Sequence, residues 1–238
     1  MAPSPNGTLA SSRLRQVARR PAQAAEDEAR SVEEHCELCK ALIGPGHRHL
    51  LDVESRELMC ACQACKILFD RPAAGGSHYR LVPDRRLRLE GFALDDVTWA
   101  ELRIPVEMAF FFYSTPAERT VAFYPSPMGA TESQLELDSW EQLEQANPVL
   151  CSMQRDVEAL LVNRARDARD HYLVPIDDPY ELVGLIRTRW RGLTGGSEVW
   201  EEIEGFFARL AARAKTVTID QQEDTPWHQE RSGPARLT

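Results

Sequence analysis

Hydrophobic positions along the chain follow two rhythms. In residues 197–214, Val199, Ile203, Phe206, Phe207 and Leu210 recur every three or four residues, which predicts an amphipathic helix with Ser197 as its N-cap. Tyr180, Leu182, Val183, Leu185, Ile186 and Trp190 keep the same spacing after Pro179; Asp177 or Asp178 suits the cap of that helix, and the stretch from Gly192 to Gly196 ends it. Residues 95–103 open on two aspartates, as a helix N-terminus favours, before Pro105. Asp138 and Glu141 match a capping box for a short helix that stops at Asn147-Pro148.

Elsewhere the apolar residues run without interruption. Residues 106–114 and 119–125 are such runs, joined by Thr115-Pro116-Ala117-Glu118, and they predict a hairpin at the centre of a sheet. Residues 87–92 and 171–177 read as further strands; residues 157–163 read as a strand or as the continuation of a helix. Residues 121–133 end in a Gly- and Pro-punctuated loop, by default a plain sheet-edge connection, although such loops often carry binding function. Strands mixed with helices, without regular alternation, predict an α+β domain with a mostly antiparallel sheet over residues 78–214. Residues 1–32 and 215–238 are too poor in apolar side chains to bury a face and read as disordered tails. Arg71-Pro72-Ala73-Ala74-Gly75-Gly76-Ser77 reads as a turn or linker between that domain and a small module at residues 33–70.

Charge and composition narrow the function. With 28 Lys+Arg against 37 Asp+Glu the net charge is -9, which argues against a generic nucleic-acid or anionic-membrane binder. A nucleic-acid role would need Arg80, Arg85, Arg86 and Arg88 to form one basic face. No apolar run is long enough for a membrane span, and the N-terminus lacks the apolar core of a signal peptide, so the expected location is the cytoplasm.

Five of the 6 cysteines fall between Cys36 and Cys65. Cys36-Glu37-Leu38-Cys39 and Cys62-Gln63-Ala64-Cys65 are two CxxC pairs about 22 residues apart, the spacing at which two knuckles turn four thiolates into one tetrahedral shell. Between them, residues 47–53 and 57–61 predict a hairpin, and residues 65–69 a helix beginning at the second knuckle. That order is similar to treble-clef or ribbon zinc modules. Cys60 competes with Cys62 for the third position, because two residues apart in an extended segment face the same way. CxxC spacing favours Cys36, Cys39, Cys62 and Cys65 as the metal ligands. His47 and His49 share one strand face and either replace a cysteine, flank the site or lie on the hairpin surface. Structural zinc is the favoured occupant; iron bound by the same ligands, or a thiol redox centre or metal carrier, are the alternatives.

Outside the cysteine region no GxSxG, Walker loop, HExxH or strand-linked GxGxxG occurs. An enzyme would need polar groups to converge around His171 and Asp177, or around Tyr124 and Ser126. Arg187, Arg189 and Arg191 sit at a helix end, where the helix dipole accounts for them. Cys151, after Pro148-Val149-Leu150, reads as a buried core thiol.

Together CELCKALIGPGHRHLLDVESRELMCACQACKILF, VAFYPSPMGATES and ELVGLIRTRWRG resemble an uncharacterised bacterial family often encoded beside nickel-iron hydrogenase genes, over roughly residues 35–213. The resemblance implies an accessory or assembly protein that contacts hydrogenase subunits or their assembly factors. It carries no activity for residues here. Tyr124 and Met128 of the 121–133 loop are the anchor candidates, since exposed apolar and aromatic side chains carry much of interface energy. Lys40 stands after the first knuckle where zinc modules often have Gly.

Overall fold

The structure is a computed structural model that describes residues 34–69, 78–135, 137–192 and 195–219. The expected linker at residues 71–77 and most of both expected tails lie outside the described residues.

Among the described residues, twelve strands form three sheets. β1 (Glu34–His35) and β2 (Leu42–Ile43) pair around the first cysteine knuckle. β3 (Arg48–Asp52) is central in a three-stranded antiparallel sheet, between β4 (Glu57–Ala61) and β5 (Tyr79–Leu81), and α1 (Gln63–Phe69) follows β4 directly. The remaining strands are β6 (Leu87–Glu90), β7 (Met108–Ser114), β8 (Arg119–Ser126), β9 (Gly129–Ser133), β10 (Glu158–Asn163), β11 (Asp170–Pro175) and β12 (Lys215–Thr218). They make one sheet in the order β12-β6-β11-β10-β7-β8-β9, antiparallel throughout except for the β12–β6 pair.

The unbroken apolar runs follow from this order. β7 and β10 lie inside the sheet and are covered on both faces, so side chains pointing either way must be apolar. Phe110, Phe112, Leu161, Tyr172 and Val174 face one hydrophobic cluster, whereas Ala109, Phe111, Leu160, Val162 and Leu173 face the other. On the first face lie α4 (Asp177–Arg189) and α5 (Gly196–Arg213); on the second, α2 (Asp96–Glu101), α3 (Leu137–Ala146) and a 3-10 turn (Pro148–Ser152). All five members of the predicted α5 stripe are buried. Each contributes about 1.5–3 kcal/mol on burial, more than the ~1 kcal/mol of a typical cap, so the stripe decides where α5 lies.

The caps differ accordingly. Gly195 is the N-cap of α5, and Ser197 lies inside the helix. Asp138 lies in the first turn of α3, not at its cap. α4 begins two residues ahead of Pro179, with both Asp177 and Asp178 in its first turn and no side-chain cap. Asp95, at the predicted acidic start of α2, is its N-cap, its carboxylate accepting from the Thr98 amide.

Three further expectations are corrected. Residues 121–133 are a two-strand hairpin, β8 turning through Pro127 and Met128 into β9, where a loop was expected. Lys215–Thr218, assigned by composition to the C-terminal tail, form an edge strand on β6. Gly91, at φ +76, lets the chain close there: a Cβ would stand 2.9 Å from the Ile219 carbonyl oxygen. Cys151 is exposed, because the 3-10 turn points Leu150 inward instead.

The three-stranded sheet does not stand apart. Leu51, Val53, Leu58 and Val82 belong to the same buried cluster as Phe110, Tyr172 and Phe206. No helix among the described residues is long and apolar enough to cross a membrane.

Candidate metal centre

The β1–β2 pair closes the first knuckle. The Cys36 amide donates to the Ala41 carbonyl at 2.7 Å, and the Lys40 amide to the Cys36 carbonyl at 2.8 Å. To make this turn Lys40 adopts φ +64, the left-handed conformation that glycine adopts without strain. The second knuckle is the junction of β4 and α1. Extended structure ends at Ala61, and Cys62 Sγ then accepts from the Cys65 amide at 3.4 Å as the helix begins.

This junction separates Cys60 from Cys62. The segment is not extended through both, so their side chains do not face the same way. Cys36, Cys39, Cys62 and Cys65 bring their sulfurs within 4.8 Å of one another, and Cys60 groups with His47 and His49. Cys39 Sγ and Cys62 Sγ are 3.5 Å apart. A tetrahedral ion with metal–sulfur bonds of about 2.3 Å holds its sulfurs roughly 3.8 Å apart, so the spacing fits a thiophilic ion. Cys36 and Cys65 are buried while Cys39 is exposed, which leaves the shell at the surface on one side.

The thiols are electrostatically divided. Burial pushes the Cys36 thiol up, but backbone N–H groups of Cys39, Cys62 and Leu38 outweigh it and bring it down to about 6. Cys62 is lowered, chiefly by the Cys65 amide. Cys65 is pushed well up by burial and by the three thiols around it. Four sulfurs this close cannot all carry negative charge without a cation among them; a divalent ion lets all four ligate as thiolates.

A second group lies across the hairpin. His49 Nδ1 is 2.9 Å from Asp177 Oδ2, a link from β3 to the first turn of α4. Burial drives the His49 ring down, but Asp177 and Cys60 outweigh it and raise it to about 9. The sequence pattern could not show this contact, since 128 positions separate the two residues.

His171 and Asp177 do not come together, although Arg88, Arg169 and Asp170 line a cavity of about 380 Å³ with His171. Asp177 meets His49, whereas His171 stacks on Phe92 with centroids 4.8 Å apart and its Nε2 has no hydrogen-bond partner. Ser126 Oγ bonds within its own hairpin, to the Gly129 carbonyl and Thr131. Arg80, Arg85, Arg86 and Arg88 each pair with a carboxylate: Asp156, Glu158, Asp178 and Asp170. Arg189 and Arg191 pair with Glu202 and Glu198. A surface cavity of about 780 Å³ between α2 and α3 is lined by Asp96, Arg103 and Asp138 among others, with no histidine or cysteine.

No curated protein and no solved structure matches the chain. A family of unknown function (DUF5947) matches residues 35–214, from the residue before the first cysteine to the residue after α5, and the chain belongs to that family.

Proposed function

We propose that the chain is a cytoplasmic metal-binding accessory protein in which Cys36, Cys39, Cys62 and Cys65 hold a structural zinc ion, and that it acts by contact with a protein partner. The convergence of four sulfurs from two knuckles within 4.8 Å carries this reading. A four-thiolate shell contributes on the order of 10 kcal/mol or more to folding, which suits a region of short strands with a small cluster of its own around Cys36, Leu50, Ala61 and Cys65. Action by contact is supported by the pairing of the arginines and by Met128, which stands 89% exposed at the β8–β9 turn; Tyr124, the other expected anchor, packs partly against the core.

Metal analysis and an absorption spectrum of the reduced, purified chain test the metal. A colourless protein with zinc in the four-sulfur shell is expected. Cys62→Ser should lose that ion and Cys60→Ser should keep it. Strong iron–thiolate colour would replace zinc with iron, and a protein that stays metal-free and forms a Cys39–Cys62 disulfide once reductant is removed would favour the thiol redox reading. For the partner, the resemblance to a family encoded beside hydrogenase genes directs the search. An affinity-tagged copy in its own host should recover nickel-iron hydrogenase subunits or their assembly factors. Recovery of neither, with normal hydrogenase activity in a deletion strain, would overturn that part.

A further inference from the structure

His49 and Cys60 stand opposite each other in the β3–β4 register, and His47, one residue ahead of β3, folds over them. The two imidazoles meet edge to face with centroids 5.0 Å apart, and one donor atom from each of His47, His49 and Cys60 lies within 4.8 Å of the others. The Cys60 backbone is tied to the first knuckle, its N–H donating to Glu37 Oε2 at 2.8 Å and its carbonyl accepting from the Glu37 amide at 2.9 Å. Its position in the hairpin is therefore held from both sides.

The hydrogen bonds orient both rings. His47 Nδ1 lies 3.2 Å from the Gly44 carbonyl and 3.2 Å from Glu34 Oε2, and both are acceptors, so Nδ1 carries the proton and Nε2 the lone pair. His49 Nδ1 faces the Asp177 carboxylate in the same way. An imidazole whose Nδ1–H is held by a carboxylate or carbonyl is the usual form of a metal ligand through Nε2. The His47 side chain is only 10% exposed, yet its Nε2 has no hydrogen-bond partner. Leaving such an acceptor buried and unmet costs about 1–3 kcal/mol, which a bound cation would remove.

We infer that His47, His49 and Cys60 form a second metal site, distinct from the four-cysteine shell, for a borderline divalent transition ion such as zinc. Two imidazoles and one thiolate suit that class of ion. Asp177 and Glu34, beside the two imidazoles, more than offset the single positive charge left after one thiolate has bound. Three protein ligands leave a fourth position for water or an exchangeable ligand, as in sites that do more than hold a fold.

Titration of the full chain with Zn²⁺ or Co²⁺, read by metal stoichiometry and X-ray absorption, tests the site. Two ions per chain are expected, with nitrogen as well as sulfur in the averaged shell. His47→Ala and Cys60→Ser should each leave one ion in an all-sulfur shell, and Asp177→Asn should weaken the second ion about 10- to 100-fold. Wild-type protein that saturates at one ion with only sulfur around it would overturn the inference, whether or not the variants fold. Cys36→Ser/Cys39→Ser separates the two sites: one ion remaining in a nitrogen-containing shell upholds this site even if the four-cysteine reading fails.

Discussion

Lys40 shows what a single residue costs where the backbone dictates the conformation. A side chain at φ +64 is strained by about 1–2 kcal/mol relative to glycine, partly offset by the greater entropy glycine loses on folding. Lys40→Gly is therefore expected to stabilise the protein by up to about 1 kcal/mol in urea denaturation, while Lys40→Ala brings no gain; equal effects would show that side-chain contacts, not φ, matter there. His171 makes the complementary case for a buried polar ring. Burial, with Arg164 and Arg169 nearby, holds it down to about 4, against 6.5 for an ordinary imidazole. Between those values the unfolded chain binds more protons, so this contribution is complete above about pH 6.5 and is lost as the pH falls toward 4. The loss reaches about 3 kcal/mol. His171→Phe should lose less stability than wild type between pH 7 and pH 4.5; parallel losses would refute the assignment.

At the scale of elements, the first turn of α4 does more than start a helix. Asp177 reaches β3, and Asp178 takes a bidentate pair from Arg86, Nε and Nη2 each at 2.7 Å from one carboxylate oxygen. Asp178 is buried, which raises its pKa even against the pull of Arg86. Removing one partner of such a pair leaves a buried charge. Arg86→Met should cost about 3–5 kcal/mol, and Arg86→Met/Asp178→Leu should recover most of it. A double variant as unstable as the single would show that Arg86 acts through packing instead. Capping chemistry placed Asp177 or Asp178 at the cap, whereas both lie in the first turn and neither side chain caps it; their partners, His49 on β3 and Arg86 just ahead of β6, are far away in sequence, and capping rules see only neighbours. The β8–β9 hairpin was missed for a related reason: Pro125, Pro127 and Gly129 read as loop residues, yet an outer hairpin tolerates proline where a central strand would not.

For the whole molecule, the shared cluster of Leu51, Val53 and Leu58 with the face of the large sheet matters most. Loss of metal should not stay local. Chelation is expected to raise amide exchange across residues 34–69 and to lower a single thermal transition of the entire protein. Two separate transitions, the upper one unmoved by chelator, would mean that the sheets are energetically independent despite their contact.

Local pattern by itself determined the elements whose cause is local: the α5 stripe, the β7–β8 hairpin, the β3–β4 hairpin, the helix at the second knuckle and the four cysteines as a group. In each, period or spacing is the physical cause of the structure, so it can be read along the chain. Tertiary structure alone decided the rest. Composition gave no sign that Lys215–Thr218 join the sheet, because an exposed edge strand needs only backbone pairing. CxxC spacing favoured Cys62 over Cys60 but left both in play; the turn from strand into helix separated them by sending one sulfur to the cysteines and the other to the histidines. The approach of Asp177 to His49 depended on the fold carrying the first turn of α4 to β3, since contact between distant segments follows from how cores close and not from the residues alone.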